Sequence, residues 1–253
     1  MEITQSTETD FTALKQRENM PKALIFDVFG TVVDWRGSIT REVRTLAERK
    51  GIRLNAGKFA NEWRSGYQPA MDRVRRGDLP WLNIDALHRL ILSELSAKYQ
   101  LNQLSEKEMD ALNRVWHRLK PWPDSVRGLK KLKQTYTVST LSNGNFSLLN
   151  NMAKHSQLPW DCIISAELFG HYKPDPETYL GAAKLLDLEP GQVMLCAAHK
   201  DDLLAAKACG LKTAFIKRPR EFPPSVNLDL SFDKRFDFNA ESIVDLADQL
   251  SSG

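Results

Sequence analysis

Five short apolar runs, residues 23–28, 135–141, 162–166, 193–198 and 213–217, punctuate the chain, and each is followed by turn-forming or polar residues. None shows the strict apolar–polar alternation of a strand with one wet face. Such runs suit strands buried on both faces, as in parallel sheets. Helical patterns lie between them over residues 125–133, 146–155, 177–186 and 202–209, the last opening on acidic residues and closing at Gly210. Repeated strand–helix units predict an α/β fold with a doubly wound, Rossmann-like, mostly parallel sheet.

One interval breaks this rhythm. About a hundred residues separate the first run from the second, whereas a simple crossover needs only a few tens. The interval reads as purely helical. Residues 38–50 end at Gly51, and residues 58–76 are interrupted near Gly66 and Pro69. Residues 83–99 place Ile84, Leu87, Leu90, Ile91 and Leu95 on one stripe, and residues 105–119 open with the capping-box pair Ser105 and Glu108. Pro121-Trp122-Pro123 closes the interval as a rigid hinge. The expected organisation is a loose tail over residues 1–20, a catalytic core of residues 21–36 and 121–253, and a helical cap over residues 37–120.

The charge balance narrows the partners. Lys and Arg total 35 against 32 Asp and Glu, a net +3 without a single-sign block, so neither a nucleic-acid surface nor a membrane surface is expected. The first ten residues lack the apolar stretch of a secretory signal, and the longest apolar runs are too short to span a bilayer. Cys162, Cys196 and Cys209 lie in apolar runs without a C-x-x-C spacing and read as reduced, buried thiols of a cytoplasmic protein. Trp116, Trp122 and Trp160 belong either to the core–cap junction or to a homodimer interface, core packing being the commoner role.

Ligands of open α/β sheets bind beyond the carboxyl ends of the strands. That rule selects Asp27, Phe29 and Thr31 after the first run, Ser142 and Asn143 after the second, Lys173 after the third, and His199 and Asp202 after the fourth. Asp27 follows four apolar residues, an expensive place for a carboxylate that is neither paired nor hydrogen-bonded. Taken singly, each residue has a commonplace role: a turn aspartate, a turn triplet, a surface lysine, a loop histidine, a helix N-cap. Convergence of four strand ends on one rim is the stronger signal.

Asp27-Val-Phe-Gly-Thr31, Ser142-Asn-Gly144, Lys173-Pro-Asp175 and Asp202 resemble, in order, spacing and context, the four motifs of the haloacid dehalogenase superfamily. The resemblance covers most of residues 21–217. Phosphatases of that superfamily usually carry a second aspartate two residues after the nucleophile, where this chain has Phe29. The aromatic there, Tyr179 six residues after Lys173, the pair Trp63-Arg64 and the stretch FDVFGTVVDWR over residues 26–36 look like the type II L-2-haloacid dehalogenases.

The resemblance implies hydrolysis of a short L-2-haloacid, a small anionic substrate, to a 2-hydroxyacid and halide without a cofactor. Asp27 would be the nucleophile, forming an ester intermediate. Lys173 would hold it ionised, Arg64 and Asn143 would face the departing halide, and Ser142 and Thr31 would hold the substrate carboxylate. Phe29 and Trp63 would line a dry pocket, with Tyr179 beside the substrate. Asp202 would hold the hydrolytic water. In the fourth motif many relatives have serine and asparagine where this chain has Ala197 and His199, so His199 is read as a substitute that orients or deprotonates water. Two alternatives remain: a phosphatase of the same superfamily, the one case that would need magnesium, and a catalytically idle binding protein with this fold.

Overall fold

The computed structural model describes residues 20–252, so all of the expected tail but Met20 lies outside the described residues. The chain enters on β1 (Ala23–Phe26), turns into the two-residue strand β2 (Val33–Asp34), and runs through five helices before returning on β3 (Lys120–Pro121). Those helices are α1 (Trp35–Lys50), α2 (Ala56–Ser65), α3 (Tyr67–Arg75), α4 (Ile84–Ser96) and α5 (Glu106–Asn113). There follow α6 (Ser125–Leu132), β4 (Thr137–Thr140), α7 (Phe146–Ser156), α8 (Pro176–Leu185) and β5 (Val193–Ala197). The chain ends with α9 (Lys200–Ala208), β6 (Lys212–Ile216), β7 (Phe238–Ala240) and α10 (Ile243–Ser251).

The main sheet is parallel throughout, in the order β4-β1-β5-β6-β7. Alternate strand residues feed two cores, which is why the apolar runs lack alternation. Leu24, Phe26, Met194, Cys196, Ala214 and Ile216 face one core, shared with α6, α7 and α10. Ile25, Val193, Leu195, Ala197 and Phe215 face the other, covered by α8 and α9. The expected doubly wound α/β fold is the one observed.

Three details differ from the sequence-based expectation. Residues 162–166 do not form a strand; they touch β4 through the isolated bridges Ser139–Cys162 and Ser142–Ser165. Side-chain hydroxyls replace the ladder: Ser139 Oγ donates to the Cys162 carbonyl (3.0 Å), and Thr140 Oγ1 both donates to the Ile164 carbonyl (2.8 Å) and accepts from its amide (3.0 Å). Beyond residue 217, β7 and α10 complete the sheet edge, where no element was expected. Cys196 is buried as expected, but Cys162 and Cys209 are half-buried.

The helical segment leaves and rejoins the sheet through the antiparallel ribbon of β2 and β3, with Val33 opposite Pro121 and Asp34 opposite Lys120. Its helices start and stop where side chains dictate. Asp34 caps α1 by accepting from the Gly37 amide (2.7 Å), and Gly51 ends it in the left-handed region at φ 65°. The expected break between α2 and α3 falls at Gly66, and Pro69 is tolerated because it lies in the first turn of α3. The capping box of Ser105 and Glu108 is present at the start of α5.

The ribbon is pinned to the core by Arg218, only 7% exposed, whose guanidinium grips Asp124 through two hydrogen bonds of 2.9 Å. Its Nε donates to the Thr31 carbonyl (2.7 Å). Asp124 also accepts from the Ile243 amide at the start of α10 (2.8 Å). Removing one partner of such a pair leaves a buried charge alone. Asp124→Ala should therefore cost about 3–5 kcal/mol in chemical denaturation, with Asp124→Asn less damaging; a loss below about 1 kcal/mol, the range of exposed pairs, contradicts this.

Candidate active site

Asp27 lies immediately past β1 and is 7% exposed. Three groups from three places in the chain meet its carboxylate. Lys173 Nζ donates to Oδ1 at 3.0 Å, Thr31 Oγ1 donates to Oδ2 at 2.7 Å, and His199 Nδ1 lies 3.2 Å from Oδ2. Burial alone would raise the Asp27 pKa, but the Lys173 charge, then His199 and Thr31, hold it well below the usual carboxylate range. The nucleophile proposed from sequence is thus an ionised carboxylate despite being buried.

Lys173 is itself 8% exposed and shared by two carboxylates, donating also to Asp202 Oδ2 at 2.5 Å. Burial opposes its charge, and Asp202 and Asp27 more than compensate, pushing its pKa up. The ammonium fills the space between Asp27 and Asp202 with a fixed cation supplied by the chain. Asn143 anchors the lysine by its backbone: Oδ1 accepts from the Lys173 amide (2.6 Å) and Nδ2 donates to its carbonyl (3.4 Å). Asp202, in the first turn of α9, is held from the other side by the Tyr179 hydroxyl (2.6 Å).

His199 joins Asp27 to a residue that the sequence reading did not select. Its Nε2 is 3.0 and 3.1 Å from the two carboxylate oxygens of Glu221, which is 3% exposed and also accepts from Trp35 Nε1 (3.1 Å). Burial disfavours the His199 charge, but Glu221 and Asp27 override it and push the pKa up to about 10. The strand-end rule that selects the other site residues points to Glu221 as well, since it follows the carboxyl end of β6.

A cavity of about 460 Å³ opens beside this cluster, with Arg64, Tyr67, His199, Trp35 and Phe222 among its walls. Arg64, in the last turn of α2, lies with its guanidinium carbon 4.4 Å from the Tyr67 ring centroid, and its buried Nε has no hydrogen-bond partner among the described residues. It is a cation with a donor to spare.

Other expected contacts differ in detail. Thr31 spends its hydroxyl on Asp27 and accepts from the Ala198 amide (2.9 Å), and Ser142 Oγ accepts from the Gly144 amide (3.1 Å). Tyr179 reaches Asp202 and lies outside the cavity walls. Phe29 and Trp63 also lie outside them, buried in an aromatic cluster that includes Trp116 and His88. The sequence reading missed His88, stacked on Trp116 at 3.9 Å and driven to a pKa of about 3, first by burial and then by Arg64, so it stays neutral. It also missed Arg75, which ties the end of α3 to the Lys173 loop through the carbonyls of Tyr172 (3.2 Å) and Lys173 (3.0 Å) and through Asp175 (3.2 Å).

A family model described as haloacid dehalogenase-like hydrolase matches residues 21–210, which include every one of these residues but Glu221 and Phe222. The chain belongs to that family. Among solved structures similar to it are the L-2-haloacid dehalogenase PA0810, at 48% identity with a TM-score of 0.89 over 92% of this chain and 100% of that one. The defluorinating L-2-haloacid dehalogenase Rha0230 is 46% identical, with a TM-score of 0.88 over 91% of this chain and 95% of that one. (S)-2-haloacid dehalogenase 1 of Pseudomonas sp. (strain CBS-3) is 28% identical over 211 residues, 79% of this chain and 88% of the relative.

The charge state of His199 has a measurable consequence. A histidine whose pKa is raised on folding contributes stability that is fully present below its unfolded value and lost as pH rises through the folded one. Relative to a His199→Asn variant, the wild-type melting temperature should fall as pH rises from 6.5 through about 10. A difference that stays flat across that window contradicts the bridge between Asp27 and Glu221.

Proposed function

We propose that the protein is an (S)-2-haloacid dehalogenase, hydrolysing a short L-2-haloalkanoate such as a haloacetate or 2-chloropropionate to the 2-hydroxyacid and halide without a cofactor. The observation that carries this reading is Asp27 itself: a carboxylate kept ionised by Lys173 at 3.0 Å, beside a cavity walled by the cation Arg64. An anionic substrate approaching an anionic nucleophile needs its charge offset, and Arg64 and Lys173 supply that offset from two sides.

Asp27 attacks the α-carbon and expels halide towards Arg64, whose place in the cavity wall supports its role as donor to the departing ion. The attack inverts the carbon and leaves an ester on Asp27. Water then attacks the ester carbonyl, held by His199, whose Nδ1 faces Asp27, and by Asp202, which shares Lys173 with it. Inversion occurs once, so an L-substrate gives the D-hydroxyacid. Asn143 contributes by fixing the backbone of Lys173, and Ser142 by shaping the turn that presents Asn143. Residues 37–120 serve as a cap over a core of residues 21–36 and 121–253; the ribbon of β2 and β3 supports that division as the paired strands through which the chain leaves and returns.

A phosphatase reading is disfavoured at one position. Two residues after the nucleophile, the Phe29 ring packs edge-on against Trp116 at 5.8 Å, so no side-chain acid stands there to protonate a leaving alcohol. A cytoplasmic location is part of the same proposal, supported by the free thiols of Cys162, Cys196 and Cys209. No described helix is long and apolar enough to cross a membrane.

Halide release from chloroacetate, bromoacetate, fluoroacetate and the two 2-chloropropionate enantiomers decides the reading. Release should survive EDTA, favour the (S)-enantiomer and vanish in Asp27→Asn, while phenyl phosphates are left intact. Arg64→Ala should lower kcat by about 10²–10³, the usual cost of one donor to developing charge. Metal-dependent phosphate release, or an Arg64→Ala variant with unchanged kcat, contradicts it.

A further inference from the structure

Glu221 has no place in the mechanism so far, yet its position is expensive. It is 3% exposed, and a buried carboxylate is costly unless it is paired and hydrogen-bonded. It sits directly over Gly30, whose φ of +88° and missing side chain make the room: a Cβ there would lie 2.0 Å from Glu221 Oε1. Its hydrogen bonds come from His199 and from Trp35 Nε1. The nucleophile loop, α1 and the loop after β6 are thus all shaped to seat one carboxylate behind one histidine.

Resting on the dehalogenase reading, we propose that Glu221 is a positioning residue that holds His199 against Asp27 as the base for hydrolysis of the Asp27 ester. The geometry dictates which nitrogen does what. Nε2 faces Glu221 at 3.0 Å and Nδ1 faces Asp27 at 3.2 Å. With Glu221 retaining the proton on Nε2, the neutral ring carries its lone pair on Nδ1, aimed at the carboxyl where the ester forms.

The same bridge times the base. With carboxylates at both nitrogens the ring is an imidazolium and cannot accept a proton. Other charges near it are Arg64 across the cavity, Lys173 behind Asp27, Lys200, Asp201 and Asp202 in the first turn of α9, and Arg218 near Glu221. Of all these, Asp27 alone changes charge during turnover. When its Oδ attacks carbon, the C–O bond forms, the carbon–halogen bond breaks and halide leaves with the electron pair. Nδ1 then faces a neutral ester and releases its proton to solvent, which the 31% exposed His199 side chain can reach.

Water next adds to the ester carbonyl while Nδ1 takes its proton. Collapse passes that proton to the departing alkoxide, giving the hydroxyacid and a protonated Asp27 carboxyl, which hands its own proton back to Nδ1. The resting imidazolium and carboxylate are restored. One proton is released per turnover, as the overall reaction requires.

The test compares wild type, Glu221→Gln, Glu221→Asp, His199→Asn and the double variant Glu221→Gln/His199→Asn with chloroacetate by rapid quench. Halide release and the ester-modified Asp27 peptide are followed by mass spectrometry, and the His199 ring nitrogens by ¹⁵N NMR. Glu221→Gln should keep a halide burst of about one per site, then slow by about 10²–10³ with the ester accumulating, while Glu221→Asp restores part of the rate. In the His199→Asn background Glu221→Gln should add nothing to the deacylation defect, whereas a packing role would lower both backgrounds alike. The His199 titration should shift down in Glu221→Gln and in Asp27→Asn, which mimics the uncharged ester. Deacylation and His199 titration within twofold of wild type in Glu221→Gln overturn the role of Glu221 alone. Wild type that yields neither halide nor ester overturns the dehalogenase reading and this role with it.

Discussion

The ion pair between Asp27 and Lys173 is the constraint around which the rest is arranged. Burial disfavours the charged form of a carboxylate and tends to neutralise it. The chain resolves this with alternating charges: Asp202, Lys173, Asp27, His199 and Glu221 lie in sequence, each within 3.2 Å of the next. No two like charges are adjacent in that row. Its members come from the exits of β1, β5 and β6 and from the loop before α8, so only the folded parallel sheet can assemble them.

The groups behind the row fix its geometry. Asn143 holds Lys173 by its backbone, Tyr179 holds Asp202, and Trp35 steadies Glu221. Arg75 ties α3 to the same loop that carries Lys173, so the helical segment and the charged row are mechanically joined. On the other side, Trp63, Trp116, Phe29 and a neutral His88 form a dry aromatic cluster next to Arg64. Low-dielectric surroundings of that kind strengthen the pull of a guanidinium on a nearby anion.

Much of this was legible in the sequence because it is local. Apolar runs that lack alternation mark strands buried on both faces, and a polar residue at such a run's end marks the rim; Asp27, Lys173, His199 and Asp202 were found that way and do meet. The expected helical interval and its breaks at Gly51 and Gly66 follow from glycine chemistry at known positions. What escaped is tertiary. Residues 162–166 carry a strand-like composition, but hydroxyls of Ser139 and Thr140 occupy the bonding groups that a ladder would use. Tyr179 and Thr31 were expected at the substrate; the Tyr179 hydroxyl goes to Asp202, and that of Thr31 is shared between Asp27, four residues away, and the distant amide of Ala198. Glu221 lies in a segment without periodicity, and nothing nearby in the chain reveals that Gly30 leaves it a seat.

The central claim is that the Asp27 carboxylate attacks carbon and is then regenerated by water at its own carbonyl. A single turnover of chloroacetate with excess enzyme in ¹⁸O-water tests it directly. The account predicts one label in the Asp27 side chain and an unlabelled hydroxyl in the product of that first turnover. Label found in the product hydroxyl, with Asp27 unlabelled, would mean that water attacks the substrate directly and would contradict it.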